Sequence, residues 1–520
     1  MYSLYQSIKK KIWVLCLLFP FNSLLAQPLS QSNIKKFAEP AAKKSLQEFV
    51  DFLSIPNDAN IPEQLEPNIQ WVGEAFKKRG FSIQRLPTKG IDLVLAEYPA
   101  PSASKTILIY VQVDGQPVDP TKWKQASPFT PTLKEPQEDG SYKREAISRL
   151  GGKINPEWRI FARSAADAKG PINMFLAAWD AMQAAGTSPN YNIKVIMDCE
   201  EEMGSPNLPA AVKKHRKTLA ADWLVILDGP MHASNKPTLV FGARGIATMR
   251  ITTYGPREPV HSGHYGNFVP NPALRLSQLL ASMKDINGRV IIPGFYEGVD
   301  HDEEMKAMVN EKEKTGAGKK EINELFTKLG IGSFDQVGNS LDEAIMYPSL
   351  NIRGMSSGWV GSKARTIIPS HAVANLDIRL VKESDPEQLI SLIEKHIRMQ
   401  GFHIIETNEP TEKDRLAYAR LASVGSKIAY GAFRTPMNSE IGNWLTAALN
   451  RAHGEAPVKI RSHGGSIPIS PFINILDVPA VIVPLVNPDN NQHSPNENLR
   501  LFNYFQGVKT CLGILTEPLD

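Results

Sequence analysis

Apolar runs rich in β-branched residues recur along the chain, with helical segments between them. These runs predict buried strands at Thr106–Val113, Asn192–Cys199, Trp223–Leu227 and Ala480–Val486. Gly170–Ala185 places apolar residues at the helical period and ends before a glycine, which predicts a helix. Strands that alternate with helices in this way favour an α/β domain with a mainly parallel sheet.

The middle of the chain has a different pattern. It contains polar helix-like stretches, among them Asp302–Lys328, and the alternation at Ala374–Val381 predicts a half-exposed strand. The first pattern then returns with a predicted helix at Asn438–Arg451. We therefore predict one α/β domain built from residues 27–242 and 422–520, interrupted by an inserted α+β domain at residues 243–421.

The N-terminus predicts a signal peptide at residues 1–26. Three lysines, Lys9 to Lys11, precede an apolar run that is too short for a comfortable membrane span and ends at Ala26. The expected location is periplasmic or secreted, without a stable membrane anchor; an uncleaved N-terminal anchor is the alternative. Removal of these residues lowers the formal charge from +4 to +1. A nearly neutral chain lacks the strong positive charge that is typical of nucleic-acid-binding proteins.

Two cysteines, Cys199 and Cys511, lie beyond the predicted signal peptide. Export permits a disulfide between them, but both lie in apolar runs, which favours buried thiols.

Carboxylates and a histidine follow the predicted strands. In open α/β sheets, ligands bind beyond the carboxyl ends of strands. Each acid alone is explained by a turn or a helix cap, as for Asp167, but together these residue types are ligands for zinc or manganese. The segments concerned contain Gln112 and Asp114, Asp167, Glu200 to Glu202, Asp228, and His493.

These segments resemble the co-catalytic zinc metallopeptidases that include aminoacylase, carboxypeptidase G and the carnosine dipeptidases, and most of all the dipeptidase branch. The resemblance extends from about Ala38 to the end of the chain. It rests on ordered motifs: Asp-Gly-Gln-Pro-Val-Asp-Pro at 114–120, Glu-Glu-Met-Gly-Ser at 201–205, His-Ser-Gly at 261–263, Gly-Gly-Ser-Ile-Pro at 464–468 and His-Ser-Pro-Asn-Glu at 493–497. It implies a zinc-peptidase α/β domain with an inserted lid that forms a homodimer.

The resemblance also implies a two-metal site. By position, Asp167 would bridge two divalent metal ions. Zinc is the expected metal, and manganese and cobalt are the alternatives. Glu202 and His493 would complete one site, and Asp228 and residue 112 the other. Glu201 would be the general base, and Asp114 would support the ligand beside it.

Other residues would contact the substrate. His261 would reach into the active site of the partner subunit and stabilise an oxyanion; the alternative is a surface histidine. Arg379 would bind a substrate carboxylate, or form a salt bridge on the strand face. Gly465 and Ser466 would offer a backbone contact, with a plain glycine-rich turn as the alternative.

Gln112 stands where the family has a metal-binding histidine. An amide oxygen is a weaker donor to zinc than an imidazole nitrogen. We expect the Gln112 NH2 group to donate to Asp114, which would aim the amide oxygen at the metal. This second site is then expected to be weak, empty or selective for manganese or magnesium. The alternative is that the site is lost.

The predicted function is metal-dependent hydrolysis of a peptide or amide bond in a small substrate with a free carboxylate, first of all a dipeptide. An N-acyl amino acid amidohydrolase uses the same metal chemistry and is the second candidate. The third is a binding protein that lost turnover through Gln112.

Overall fold

The computed structural model describes residues 28–101, 103–299, 303–315, 317–465 and 467–519. The predicted signal peptide at 1–26 and Ser466 lie outside the described residues, as does Asp302, the first residue of the predicted polar stretch. The described chain forms an α/β domain and an inserted α+β domain. The expected fold class is confirmed.

An eight-stranded sheet forms the centre of the first domain. Its strands lie in the order Ser82–Leu86, Leu93–Tyr98, Asn192–Asp198, Thr106–Gln112, Trp223–Ile226, Ala480–Ile482, Thr238–Val240 and Val458–Ile460. The Thr106–Gln112 strand pairs in parallel with both of its neighbours. The carboxyl ends of these three central strands therefore meet at one edge of the sheet, where the candidate residues follow them.

Helices cover both faces of this sheet. The Lys169–Ala184 helix is buried along nearly its whole length because it packs between the Gln31–Leu53 and Leu501–Leu515 helices. Two apolar clusters fill the space between helices and sheet. The remaining helices of this domain are Leu65–Lys77, Leu208–Lys214, Glu440–His453 and Ser470–Leu476.

A four-stranded sheet connects two distant parts of the first domain. Its strands lie in the order Asn498–Arg500, Arg159–Phe161, Thr132–Pro136 and Tyr142–Arg144. Asn498 pairs with Phe161, so the loop that follows Phe161 is held beside the loop that precedes Asn498. These are the loops that carry Asp167 and His493.

The inserted domain is a five-stranded sheet with helices on one face. Its strands lie in the order Ser349–Ser356, His371–Leu380, Gly245–Tyr254, Leu421–Tyr430 and His403–Ile404. Side chains from the Pro272–Ala281 and Pro386–Met399 helices pack on alternate residues of the central strands. The opposite face of the sheet carries no such helix among the described residues.

The predicted end of the insertion at residue 421 is too early. The whole Leu421–Tyr430 strand pairs with Gly245–Tyr254, so the lid sheet continues to Tyr430. The polar stretch that begins at Asp302 is two helices, Glu303–Thr315 and Ala317–Leu329. Shorter helices lie at Ser262–Tyr265, Leu341–Ala344 and Glu412–Ala417, and short paired strands at Gly242–Ala243 with Phe433–Arg434 and Val260–His261 with Ile367–Ile368.

Cys199 and Cys511 are free and buried, which confirms the prediction of buried thiols. Over the described ranges, we find no helix that combines the length and apolar character needed to cross a bilayer.

Candidate active site

Three side chains from separate segments converge at the carboxyl edge of the central sheet. His493 Nε2 lies 3.0 Å from Asp167 Oδ2 and 3.5 Å from Glu202 Oε2. One ligand atom from each of the three lies within 4.8 Å of the others. Asp167 and His493 are separated by 326 positions in the sequence, so only the fold brings them together. Among the described residues, they are the one group of at least three such side chains that is close enough together to hold a metal ion.

Glu497 holds the Asp167 loop in place. Its carboxylate accepts hydrogen bonds from the backbone N–H groups of Ser164, Ala166 and Asp167, each at 2.9 Å, and pairs with Arg163 Nη1 at 2.7 Å. The side chain is fully buried. Sequence reasoning assigned Glu497 no role, although it ends the motif that contains His493.

The loop also packs closely against the end of the central strand. A Cβ atom on Gly115 would lie 2.2 Å from Ser164 Oγ, so any other residue here would have to displace the Ser164 side chain. The Asp167 side chain does not cap the helix that follows, since the Lys169–Ala184 helix has Ala168 at its N-cap and no side-chain cap. The alternative role for Asp167 as a helix cap is therefore excluded.

Gln112 enters the cluster by a different contact from the one expected. Its Nε2 donates to Asp167 Oδ1 at 2.6 Å, not to Asp114, so that expectation is wrong. Asp114 instead accepts the backbone N–H groups of Glu201 and Glu202, at 3.1 and 2.9 Å. These N–H groups open a short 3₁₀ helix at Glu201–Met203, and such unpaired donors are well satisfied by a carboxylate.

The cluster concentrates negative charge in a buried place. Burial and the charge of Asp167 raise the pKa of Glu202 to about 10 and that of Asp228 to about 7. Burial, then the Glu202 and Asp167 charges, raises the pKa of Glu201 well above its usual range. Carboxylates gathered in this way require protons or a cation to compensate them.

Two buried oxygens of the cluster have no hydrogen-bond donor in the described part of the chain. They are Gln112 Oε1 and Glu202 Oε1. The other oxygen of Glu202 accepts from Gln116 Nε2 at 2.6 Å. A buried acceptor without a donor is costly, and a divalent cation satisfies such oxygens. The donor set of two carboxylates and one imidazole thus fits a metal ion.

The second predicted metal site would use Asp228 and Gln112. Asp228 follows the Trp223–Ile226 strand, as predicted, and lies close enough for the charge of Asp167 to raise its pKa. It does not join the group formed by Asp167, Glu202 and His493 in the described part of the chain. Gln112 contacts Asp167 directly, and the charge of Asp167 acts on Asp228, so both predicted ligands of the second site lie near Asp167.

His261 lies apart from the carboxylates of its own chain. It is exposed in a short strand of the lid, and its Nδ1 accepts the Gly263 N–H at 3.0 Å. No contact with the cluster is found among the described residues. Its predicted role across a dimer interface stays a prediction.

The other predicted substrate contacts lie at the junction of lid and sheet. Arg379 Nε lies 3.5 Å from Asp377 Oδ2, so the strand-face ion pair is present. The Gly465 N–H donates to His463 Nδ1 at 3.1 Å within its own turn. Neither observation tests a contact with substrate.

Known proteins resemble the chain in both sequence and structure. Residues 241–403 match the model of the peptidase dimerisation domain. Cys-Gly metallodipeptidase dug1 from Schizosaccharomyces pombe is 26% identical over 458 residues, which cover 84% of this chain and 86% of that protein. The human Beta-Ala-His dipeptidase is 26% identical over 443 residues, covering 84% of this chain and 78% of that protein.

A solved structure agrees with these matches. The M20 family metallo-carboxypeptidase Sso-CP2 from Sulfolobus solfataricus superposes with a TM-score of 0.73 at 27% identity, covering 91% of this chain and 98% of that one. Over most of its length, the chain is therefore similar to an M20 family metallopeptidase. The resemblance inferred from the ordered motifs is confirmed. The family match over residues 241–403 also identifies the inserted lid as a peptidase dimerisation domain.

Proposed function

We propose that this protein is an exported, metal-dependent dipeptidase that acts as a homodimer. The observation that carries the proposal is the convergence of Asp167, Glu202 and His493 at one point, with Glu201 beside them. Relatives along most of the chain are named as dipeptidases for Cys-Gly and β-Ala-His. The signal-peptide pattern at residues 1–26 supports export.

Asp167, Glu202 and His493 would hold the first metal ion, zinc by the donor set. Asp228 and the Gln112 amide oxygen would face a second ion with weaker affinity, since one carboxylate and one neutral amide replace a stronger pair. A divalent ion held here supplies Lewis acidity, which lowers the pKa of water and polarises a carbonyl.

Glu201 is the group placed to move protons. Its carboxylate takes a proton from the attacking water and later delivers it to the leaving amine. Asp114 positions Glu201 because it binds the N–H groups of the turn that carries it.

An activity screen of the purified chain tests the proposal. The panel contains Cys-Gly, β-Ala-His, other dipeptides and N-acetyl amino acids, each with zinc, manganese or cobalt. We expect dipeptide hydrolysis that Glu201→Gln abolishes. Glu200→Gln is the matched control because Glu200 is the adjacent acid and binds Asn207 instead. Turnover of only the N-acetyl substrates would favour the amidohydrolase, and binding of dipeptides without turnover would favour the binding protein.

Subunit complementation tests the homodimer and His261 together. We expect His261→Ala to lower kcat by about 10²–10³-fold, as for the loss of an oxyanion donor. A heterodimer of His261→Ala with Glu201→Gln subunits would hold one intact site, because the first subunit keeps Glu201 and the second supplies His261. Recovery of activity on mixing after co-refolding is expected. If the verified heterodimer of the two variants stayed inactive, the prediction that His261 acts in the active site of the partner subunit would be refuted.

A further inference from the structure

A row of side chains crosses the lid sheet at the end nearest the catalytic cluster. Arg379 pairs with Ile246, and Ile246 pairs on its other side with Tyr430. Residues directly opposite each other on neighbouring strands face the same side of a sheet. Their sequence neighbours Ala247, Ile378 and Leu380 belong to the core under the helices, so Arg379, Ile246 and Tyr430 face the other, open side.

A β-bulge gives Tyr430 this orientation. Ala247 pairs with Ile428, whereas Ile246 pairs with Tyr430, so Ala429 is an extra residue without a partner. A regular ladder would place Ala429 opposite Ile246 instead. Bulges often redirect a side chain next to an active site. Here the bulge places the phenol of Tyr430, and not the methyl group of Ala429, opposite Ile246 on the open side of the sheet.

The backbone around Tyr430 is fixed from two sides. A Cβ atom on Gly245 would lie 2.6 Å from the Tyr430 carbonyl oxygen and from the Ala432 nitrogen, so glycine is needed for this close approach. The next residue, Gly431, donates its N–H to Ser470 Oγ of the catalytic domain at 3.2 Å. The backbone that carries the phenol is thus held at the junction between the two domains.

The Tyr430 hydroxyl is near two opposite charges, those of Glu201 and Arg379. The side chain is half-buried, and among the described residues its hydroxyl makes no hydrogen bond. Burial and the charge of Glu201 raise the pKa of Tyr430, and the charge of Arg379 opposes the rise. Both groups are therefore near the phenol. The hydroxyl is therefore open to a ligand that enters from the uncovered face of the sheet.

Arg379 is oriented by its own strand. Its Nε contacts Asp377, and Asp377 accepts from Asn351 Nδ2 at 2.8 Å. The backbones of Arg379 and Tyr430 are two strand spacings apart, about 9–10 Å, a gap that the two long side chains can close above Ile246.

We propose that Tyr430 and Arg379 together bind the free carboxylate of the substrate, with Ile246 as the apolar floor between them. The inference rests on the proposed function and adds a substrate-binding residue to it. Arg379 supplies charge and Tyr430 a directed O–H donor, and the proposed general base Glu201 is close enough to the phenol for its charge to act on it. The pair selects substrates with a C-terminal carboxylate at a fixed distance from that bond.

The test compares a dipeptide with its C-terminal amide. Tyr430→Phe removes only the hydroxyl, and a hydrogen bond to a charged group corresponds to between about tenfold and about a hundredfold in binding. We expect KM for the dipeptide to rise by that factor with a smaller change in kcat, while kcat/KM for the amide stays unchanged. The same loss of affinity is expected by calorimetry in a Glu201→Gln background, where binding is measured without turnover.

Tyr418→Phe is the matched control. Tyr418 is an exposed phenol elsewhere in the lid, stacked on His403, and its variant should leave both substrates unaffected. Equal losses for dipeptide and amide, or none for either, in an active enzyme would overturn the role of Tyr430 while leaving the dipeptidase intact. A wild-type protein that neither hydrolyses nor binds any dipeptide would overturn the proposed function and this inference with it.

Discussion

Replacing Glu497 by glutamine should damage both the stability and the metal affinity of the protein. Each oxygen of this carboxylate accepts two hydrogen bonds: Oε2 from Arg163 and the Ser164 N–H, and Oε1 from the N–H groups of Ala166 and Asp167. A glutamine of the same shape has only one acceptor oxygen. Its NH2 group must therefore face one of these pairs of donors.

The magnitude follows from what remains after the change. Arg163 is buried and would keep its charge without a carboxylate partner. Breaking one side of a buried ion pair typically costs about 3–5 kcal/mol. The Asp167 loop would also lose its anchor, and loss of a partner that orients a metal ligand typically lowers metal affinity about 10–100-fold.

Urea unfolding and a competition assay with a chelating dye measure the two effects. Glu157→Gln is the control, because Glu157 is half exposed and pairs with Arg500 at 3.3 Å; exposed pairs contribute about 0–1 kcal/mol. If Glu497→Gln changed the free energy of unfolding no more than this control and left zinc affinity intact, the role assigned to Glu497 would be wrong.

Three further predictions concern the metal site and the pH dependence. Gln112→His should raise the metal content per subunit under limiting supply, measured by inductively coupled plasma mass spectrometry; unchanged content would mean that residue 112 is not a ligand. Chelation by EDTA should lower Tm because the carboxylates then repel one another, and Glu202→Gln should reduce this shift; equal shifts in both proteins would count against the site. Burial lowers the pKa of His453 from its ordinary 6.5 to about 3, so the unfolded chain takes up a proton that the folded state excludes. Stability from this source is complete above about pH 6.5 and falls as the pH decreases towards 3, by at most about 1.4 kcal/mol per pH unit. Denaturant unfolding at several pH values should show a shallower loss for His453→Gln than for the wild type, and parallel curves would refute this assignment.

The periodicity of the sequence predicted the elements of the fold with small errors at their ends. The run Thr106–Val113 is a strand from Thr106 to Gln112, and the helix predicted at Gly170–Ala185 begins at Lys169. The end of the lid at residue 421 was placed too early. An alternating strand has the same pattern whichever sheet it joins, so pairing with Gly245–Tyr254 was not visible in the sequence.

The convergence of the site was predicted from residue types at strand ends, but its hydrogen bonds were not. Gln112 and Asp114 were expected to pair because residues two apart on a strand face the same way. The 3₁₀ helix at Glu201 presents two N–H groups to Asp114, which satisfies that carboxylate better and leaves the amide to Asp167. Glu497 was overlooked because a buried carboxylate that binds backbone groups has no pattern of its own in a sequence.

The long separation between Asp167 and His493 also determines when the protein becomes able to retain a metal ion. A ribosome has to synthesise almost the entire polypeptide before the histidine emerges, and a product that stops short of it lacks an essential donor. If the chain is exported, His493 would join the other ligands only after translocation, so the metal ion would bind after that step. The metal content of the cell compartment where folding finishes would then decide which cation this protein carries.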